Sequence, residues 1–344
     1  MVVDRSFWEN KKVLVTGHTG FKGSWLACLL KYLDSEVWGL SDNKILSDNY
    51  KTLNKKEIFS GEFIVDIFKD VKELDEALKN EFDIIFHLAA QGIVSTASKF
   101  PLETINANVI GTYNLLDLVN KNKLIRNLVI STTDKVYLNT SANNIETDQL
   151  GGKEFYSASK AATEHIISAF INTRKREDLF IGVVRSGNVL GGGDGANDRI
   201  VTDVINSLKN NSDINLRNPN SIRPWQFILD SLTGYLLTAQ YCDLNNTDEI
   251  FNLNSEINNK YTVENLTESI MNNWANNNSN IQKIDSEFYE TEVLKINSQK
   301  AKDLLNWSAK INIDSIASYI VEWEKENLNE NNITFDQIEL YFQK

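Results

Sequence analysis

Short apolar runs alternate with longer amphipathic stretches through the first half of the chain. The runs at 11–15, 36–40, 82–87 and 128–130 are rich in Val, Ile, Leu and Phe, a pattern typical of strands buried on both faces of a parallel sheet. Between them, apolar positions recur every three or four residues, which predicts helices that pack on the sheet. The alternation predicts an α/β fold with a doubly wound parallel sheet.

The regular alternation ends after the apolar run at 180–185. We therefore predict a first domain over 1–180 and a smaller, mixed α/β lobe over 181–330, which partly interleaves with the first domain. A largely polar linker at 327–332 precedes a C-terminal tail, 331–344, whose apolar side chains are spaced to dock on the body.

Composition narrows the class of protein. A chain of 344 residues with 42% hydrophobic content can bury a large core. Its net charge of −12 argues against a nucleic-acid or acidic-membrane partner, because both need a basic surface. No apolar run is long enough to cross a bilayer, and the first residues lack the apolar stretch of a signal peptide. These features predict a cytoplasmic protein.

The two cysteines, Cys28 and Cys242, lie within apolar helical patterns. Their spacing is not that of metal ligands, and two cysteines do not suggest a disulfide framework. We interpret both as small core residues and predict no metal site.

A glycine-rich loop, Thr-Gly-His-Thr-Gly-Phe-Lys-Gly at 16–23, follows the first predicted strand and precedes a helix predicted over 24–33. Glycines here permit a tight turn, close approach of a pyrophosphate, and packing of the helix on the strand. This arrangement predicts a Rossmann-type dinucleotide site, although a glycine-rich turn without a ligand is the alternative. The predicted cofactor residues of the loop are Gly17, Thr19, Gly20, Phe21, Lys22 and Gly23, and His18 can face the phosphate.

Two carboxylates are candidates for the adenosine end of that site. Asp42 lies about 25 residues beyond Gly17, just past the second strand, where it can accept hydrogen bonds from ribose hydroxyls and would repel a 2′-phosphate. NAD is therefore favoured over NADP, unless Asp42 only forms a turn. Asp66 and Ile67 are predicted to flank the adenine; alternatively, Asp66 caps the helix that follows it.

Small residues end the strand at 82–87. Ala89, Ala90 and Gln91 would let a cofactor lie flat against the backbone, while His87 within the strand is interpreted as a core histidine. Asn108, on a helix predicted over 103–120, is included in the cofactor site because it can support the active-site backbone or a water near Tyr156. The alternative is that it is one of many asparagines in an Asn-rich chain.

The candidate catalytic residues follow the strand at 128–130. Thr133, Asp134 and Lys135 come at its carboxyl end, where open α/β sheets bind ligands. Tyr156 and Lys160 are four residues apart, on one face of a predicted helix. A lysine cation near a phenol favours the phenolate, which would make Tyr156 a usable base. The alternatives are chance spacing of Tyr156 and Lys160, and a solvated turn at 134–135.

Together these segments resemble the extended short-chain dehydrogenase/reductase family, and specifically its nucleotide-sugar 4,6-dehydratases. The resemblance rests on residues 16–24, 108–112, 133–135 and the spacing Tyr156-x-x-x-Lys160. Within that group, the Asp-Lys pair, where most relatives have Asp-Glu, is similar to the members that act on CDP-glucose. The segments 185–194 (Arg-Ser-Gly-Asn-Val-Leu-Gly-Gly-Gly-Asp) and 218–226 (Asn-Pro-Asn-Ser-Ile-Arg-Pro-Trp-Gln) are similar as well.

The resemblance implies a reaction with recycled NAD. Tyr156, helped by Lys160 and hydrogen-bonded near Thr133, would remove the proton of the sugar C4 hydroxyl while a hydride leaves C4. Lys135 would then take the C5 proton and Asp134 would protonate the departing C6 hydroxyl. An epimerase or 4-reductase of the same superfamily is one alternative, but it would not explain the Asp-Lys pair. A dehydratase that acts on a different nucleotide sugar and a non-catalytic nucleotide-binding protein are the others.

The resemblance also implies partners and a role in deoxysugar and polysaccharide biosynthesis. Asn188, Arg199 and Arg223 are predicted to hold the nucleotide-sugar, since the arginine fork suits a diphosphate; each arginine can instead form a structural ion pair. A homodimer through a helix bundle is expected, with a dimer of dimers as the alternative. The chain departs from the family pattern at five positions expected to line the pocket: Gly92, Ser95, Ala97, Ser98 and Gly195.

Overall fold

The computed structural model describes residues 2–139, 142–275, 277–284, 294–326 and 333–343, so the predicted linker at 327–332 lies outside the described residues. The described strands are β1 (Lys12–Thr16), β2 (Glu36–Ser41), β3 (Phe59–Ile64), β4 (Ile84–His87), β5 (Asn127–Thr132), β6 (Phe180–Ser186), β7 (Val189–Leu190), β8 (Ile214–Leu216), β9 (Gln226–Phe227), β10 (Glu249–Leu253) and β11 (Ile281–Lys283). The described α-helices are α1 (Arg5–Trp8), α2 (Phe21–Tyr32), α3 (Asp48–Thr52), α4 (Lys55–Ile58), α5 (Val71–Leu78), α6 (Val94–Lys99), α7 (Pro101–Ile105), α8 (Gly111–Lys121), α9 (Phe155–Thr173), α10 (Ile200–Lys209), α11 (Ile228–Asn245), α12 (Val263–Asn273), α13 (Gln299–Leu305), α14 (Ile313–Glu326) and α15 (Ile333–Gln343). A π-helical turn, Asn106–Ile110, joins α7 to α8, and a 3₁₀ turn, Asp134–Val136, follows β5.

Seven strands form one sheet in the order β10-β6-β5-β4-β1-β2-β3, and every neighbouring pair is parallel. Strands β1 to β6 follow the order 3-2-1-4-5-6 of a Rossmann-type sheet. The strands are added outwards from β1 to one edge and then from β4 to the other, so the strand order switches between β1 and β4 while the strands stay parallel. The predicted fold class, a Rossmann-type doubly wound parallel sheet with a smaller mixed lobe, is confirmed.

The sheet lies between two layers of helices because each strand alternates its side chains. Val13 and Val15 of β1 pack in the core formed with α2 and α11, whereas Leu14 packs in the core formed with α5, α8 and α9. All three side chains are fully buried. The uninterrupted apolar runs of the sequence therefore reflect burial of both sheet faces.

The smaller lobe is built from the second half of the chain. It contains the two-stranded pairs β8–β11 and β7–β9, with α10, α12 and α14 packed together beside them. The predicted boundary at residue 180 falls on the first residue of β6, and β10 joins the main sheet, so the chain interleaves the two regions. The boundary itself stays a prediction.

The C-terminal helix α15 packs on α2 and α14. Ile338 is fully buried, and the Phe342 ring stacks on Tyr32 with 5.6 Å between ring centroids. Within the described ranges, no helix is long and apolar enough to span a bilayer.

Candidate active site

A cavity of about 840 Å³ opens at the carboxyl ends of the parallel strands, from the glycine loop to the small lobe. This is the edge where doubly wound sheets bind ligands. Its lining brings together nearly all the predicted site residues, namely Gly17, Thr19, Gly20, Phe21, Lys22, Gly23, Asp42, Asp66, Ile67, Ala89, Ala90, Gln91, Thr133, Asp134, Lys135, Tyr156, Lys160, Asn188, Arg199 and Arg223.

The glycine loop leaves no room for side chains at two positions. Gly17 has a φ of +72°, and a Cβ there would lie 2.7 Å from the backbone nitrogen of Ala89. A Cβ at Gly23 would lie 2.2 Å from the Gly17 carbonyl oxygen. Helix α2 begins three residues earlier than predicted, directly after Gly20, and no side chain caps it. Its first backbone N–H groups and its dipole therefore suit an anionic group such as a pyrophosphate.

His18 is fully buried and does not line the cavity, so the expectation that it faces the phosphate is wrong. Its Nε2 lies 2.8 Å from a carboxylate oxygen of Glu62, and its ring packs edge-on against Tyr50 and Phe59. Burial lowers the pKa of His18, although Glu62 opposes this shift. The histidine is thus a packing residue between the loop and β3.

At the adenosine end, both predicted carboxylates are paired with a lysine that sequence reasoning missed. Lys44 Nζ lies 2.7 Å from Asp42 and 2.9 Å from Asp66, and these carboxylates raise the pKa of Lys44 to about 12. Asp42 also accepts a hydrogen bond from the Lys44 backbone, so it does form a turn. Asp66 accepts from the backbone of Phe68 and Lys69, ahead of α5. Nothing in the local pattern marked Lys44.

Asn108 is fully buried and does not line the cavity, so a direct cofactor contact does not fit its position. Its Oδ1 accepts from the Gln91 backbone nitrogen at 2.7 Å, and its Nδ2 donates to the Gln91 carbonyl at 3.0 Å and to Ser159 Oγ at 2.8 Å. The π-helical turn frees the Asn108 carbonyl, which accepts from the Thr112 and Thr163 hydroxyls. Asn108 therefore supports the active-site backbone, the other role expected for it.

The predicted acid and base residues form a compact cluster after β5. The Thr133 hydroxyl donates to Asp134 Oδ1 at 3.0 Å, and Lys135 Nζ donates to the same oxygen at 3.2 Å. The other oxygen, Oδ2, is buried and has no hydrogen-bond partner among the described residues. A Cβ at residue 187 would lie 2.3 Å from Oδ2, so Gly187 is what lets Asp134 occupy this place.

Tyr156 and Lys160 both lie in the cavity, but Lys160 does not hold Tyr156 as a phenolate in the protein alone. Burial raises the pKa of Tyr156 to about 12, although a hydrogen bond with Thr133 opposes the shift. Lys160 Nζ donates to the Ser131 carbonyl at 3.0 Å. Burial, with repulsion from Lys22, lowers the pKa of Lys160 to about 8. The lowering of the tyrosine pKa expected from Lys160 alone is thus wrong.

A buried ion pair behind α9 was missed from the sequence. Arg185 Nε lies 2.9 Å from Glu164 Oε2, and Glu164 Oε1 also accepts from Thr132 Oγ1 at 2.7 Å. Both charged side chains are almost fully buried. The pair therefore fixes the helix that carries Tyr156 against β5 and β6. An arginine inside the apolar run 180–185 was the available signal, because unpaired charges are rarely buried.

The substrate-binding candidates lie on the small-lobe side of the cavity. Arg199, 3.5 Å from Asp194, is close enough to Tyr156 to oppose the rise in its pKa. Arg223 is nearly buried, and Asn188 Nδ2 has no hydrogen-bond partner among the described residues. Burial, with repulsion from Arg199, lowers the pKa of Lys22 to about 8. These cations suit an anionic part of a substrate. A third arginine of this region, Arg217, was not singled out from the sequence.

Two of the five positions that depart from the family pattern line the cavity, Gly92 and Ser95. The other three, Ala97, Ser98 and Gly195, do not. Ser95 Oγ donates to Asp198 at 2.7 Å and so connects α6 to the segment before α10. At Gly195 the φ is +67°, a conformation that side chains rarely adopt.

Comparison with known proteins places this site in a family. The family model described as GDP-mannose 4,6 dehydratase matches residues 14–320. The chain is 34% identical to the CDP-glucose 4,6-dehydratase of Salmonella typhimurium, over 94% of this chain and 93% of that protein. Among solved structures, it superposes on a dTDP-glucose 4,6-dehydratase from Bacillus anthracis with a TM-score of 0.78 and 22% identity, covering 93% and 98% of the two chains. A UDP-glucose 4-epimerase from Thermotoga maritima gives a TM-score of 0.80 at 19% identity, covering 92% and 99%.

The solved structures show that the fold is shared. The assignment to a family rests on the sequence matches. The resemblance inferred from the motifs is confirmed by the family model and by the Salmonella relative. The chain therefore belongs to the nucleotide-sugar 4,6-dehydratases of the extended short-chain dehydrogenase/reductase family.

Proposed function

We propose that the protein dehydrates CDP-glucose to the CDP-bound 4-keto-6-deoxy sugar, with NAD as a recycled cofactor. The observation that carries this proposal is the Asp134–Lys135 pair in the same cavity as Tyr156. An epimerase or 4-reductase needs a tyrosine base but not an adjoining acid and amine. The name of the Salmonella relative supports CDP-glucose as the substrate.

The glycine loop fits the pyrophosphate of a dinucleotide. Gly17 and Gly23 leave the backbone open to close approach, and α2 directs its amino end towards the loop. Asp42 and Asp66 would hold the adenosine, and Ala89 would let the rest of the cofactor lie along the carboxyl end of β4. Bound NAD would accept a hydride from C4 of the sugar and return it to C6.

The proton transfers fall to three side chains. Tyr156, ionised to the phenolate by the positive charge that a bound nicotinamide would add to that of Lys160, would take the proton of the C4 hydroxyl. The resulting 4-ketone would acidify the C5 proton. Lys135 would remove that proton, and Asp134 would protonate the C6 oxygen as water leaves. The neutral amine and the protonated acid that this step requires differ from the observed ion pair by one proton moved across a 3.2 Å contact. Each such group typically contributes about 10² to 10⁴ in rate.

Arg199 and Arg223 would bind the substrate diphosphate, because planar guanidinium groups suit bidentate contacts with phosphate oxygens. Asn188, whose amide nitrogen has no hydrogen-bond partner among the described residues, would contact the sugar or its phosphate. We place the reaction in the cytoplasm, where nucleotide sugars of deoxysugar and polysaccharide pathways would be used.

A homodimer is supported by exposed apolar side chains on neighbouring helices. Leu102 in α7 is 65% exposed, Tyr113 in α8 is 51% exposed, and Phe155 at the start of α9 is 48% exposed. Apolar side chains grouped on adjacent helices commonly form isologous interfaces. Light scattering after size exclusion should give twice the chain mass, and Tyr113→Asp should give monomers. A tetramer that Tyr113→Asp reduces to dimers would indicate a dimer of dimers, and a monomeric wild type would reject the proposal.

The reaction is tested by incubating the NAD-loaded protein with CDP-glucose. We expect a 4-keto-6-deoxy product without net accumulation of NADH. Lys135→Ala should abolish product while cofactor stays bound, and Lys79→Ala, which alters an exposed lysine directly after α5, should match the wild type. Product from another nucleotide sugar alone would reject CDP-glucose. A 4-epimer or 4-reduced sugar would instead reject dehydration.

A further inference from the structure

Arg217 lies at the small-lobe end of the cavity, directly after β8. Its side chain is about one-third exposed. Asp203, one of its neighbours, lies one helical turn beyond Arg199 in α10, because the Asp203 N–H bonds to the Arg199 carbonyl. Arg217 therefore contacts residues that lie before and after Arg199 in the sequence, and it faces the same cavity.

The charge around Arg217 is unsuited to phosphate. Its Nη1 lies 3.4 Å from Asp198 Oδ1, and its Nη2 lies 3.8 Å from Asp203 Oδ2. Two carboxylates thus face one guanidinium, so the group carries a net negative charge. Such a group would repel a diphosphate. Around Lys22, by contrast, three cations (Lys22, Lys135 and Arg199) face two carboxylates (Asp134 and Asp194), so a net positive charge remains that would attract one.

The same group is suited to a neutral, polar ligand edge. A guanidinium has five N–H donors, and in the described part of the chain the polar contacts of Arg217 are the two with Asp198 and Asp203. Donors on the arginine and acceptors on the aspartates therefore stand side by side. Ser95 donates to Asp198 at 2.7 Å and fixes one of these acceptors in place.

We infer that Arg217, flanked by Asp198 and Asp203, recognises the pyrimidine edge of cytosine and sets the nucleotide preference. This inference rests on the proposed function, whose substrate would place a cytosine in this cavity. Cytosine presents acceptors at O2 and N3, which the guanidinium can donate to, and an amino group at N4, which a carboxylate can accept from. Uracil and thymine present an N3–H and an O4 acceptor instead. With uracil or thymine, the N3–H donor would therefore face the donors of the guanidinium, and the O4 acceptor would face a carboxylate, which also only accepts.

The expected preference for CDP over UDP can be estimated from known contacts between side chains and nucleic-acid bases. A bidentate contact between a side chain and a base contributes about 1 to 3 kcal/mol of discrimination, which corresponds to about 5-fold to 150-fold in affinity. A site built to hydrogen-bond one partner rejects an analogue whose groups leave it unpaired. CDP should therefore bind at least several-fold more tightly than UDP.

Calorimetric titration of the NAD-loaded protein with CDP and with UDP tests this inference, since binding of the diphosphates does not require turnover. In Arg217→Met, the affinity for CDP should fall by the factor that separates CDP from UDP in the wild type. The affinity for UDP should stay nearly constant, so that the two affinities become similar. Arg217→Lys, which keeps the charge but loses the fork, should lie between. Arg199→Met should weaken both ligands equally and keep their ratio. Thermal unfolding of each variant checks that it folds.

Two results would overturn the inference. The first is equal binding of CDP and UDP by the wild type, and the second is an unchanged CDP-to-UDP ratio in Arg217→Met and Arg217→Lys. An unchanged ratio with weaker binding of both ligands would make Arg217 a phosphate ligand. Failure of the dehydration itself would appear separately, as a missing 4-keto product with the CDP preference intact.

Discussion

Replacing the buried lysine of the Tyr156 helix should stabilise the fold while removing activity. Lys160 is charged at neutral pH although burial and its neighbour Lys22 lower its pKa from 10.5 to about 8. A displacement of this size corresponds to about 3 kcal/mol by which folding disfavours the charged amine. Lys160→Met removes that penalty but also the hydrogen bond to the Ser131 carbonyl, which contributes about 1 kcal/mol. We expect the cofactor-free variant to be more stable by about 2 kcal/mol.

The dependence on pH follows from the direction of the shift. Because the folded-state pKa is the lower one, the unfolded chain binds more protons between pH 8 and 10.5. The wild type is therefore fully penalised below pH 8, and the penalty fades as the pH rises to 10.5. The difference between Lys160→Met and wild type should shrink over that window.

Urea unfolding of the two cofactor-free proteins at pH 7 and at pH 10 measures both quantities. Lys31→Met, on the surface of α2, serves as a matched control. It should change neither the free energy of unfolding at pH 7 nor the dependence of that free energy on pH. A variant less stable than wild type at pH 7, or a difference that does not change with pH, would refute the account of Lys160 as a buried, destabilising charge kept for catalysis.

Two further substitutions probe the support of the site. Glu164→Ala leaves Arg185 without its carboxylate and should lower the free energy of unfolding by about 3 to 5 kcal/mol. The double variant Glu164→Ala/Arg185→Met should recover part of that loss. A loss below about 1 kcal/mol for Glu164→Ala, measured by denaturant titration, would contradict the interpretation of the two residues as a buried ion pair. Gly187→Ala places a methyl carbon 2.3 Å from Asp134 Oδ2. It should reduce turnover by about 10² or more with NAD affinity unchanged, and full turnover would show that Asp134 need not stay where it is.

Local rules account for the parts of the site that the sequence could predict. The glycine loop follows from what the chain must do between a strand and a helix, and the spacing of Tyr156 and Lys160 follows from one helical turn. Thr133 to Lys135 are found because parallel strands present their carboxyl ends at one edge of the sheet. Each of these inferences depends on residues that are close in sequence.

The remaining features depend on contacts between distant segments. His18 contacts Glu62 on β3 instead of pointing into the cavity, and Asn108, within a π-helical turn, is hydrogen-bonded to the backbone of Gln91. The pKa of Tyr156 is set by how deeply the finished cavity buries it, which spacing does not reveal. Arg217 is recognised as a candidate only when the fold brings Asp203 of α10, and Asp198 just before that helix, next to it.

The most direct test of the account follows the hydrogen at C4 of the sugar. CDP-glucose carrying deuterium at C4 should give a 4-keto product with that deuterium at C6 of the same molecule, as mass spectrometry and NMR can establish. This result requires oxidation, dehydration and reduction within one cavity, with Tyr156, Asp134 and Lys135 acting on one bound sugar. A 4-keto-6-deoxy product whose C6 carries only solvent hydrogen, or a product that retains deuterium at C4, would contradict the central claim.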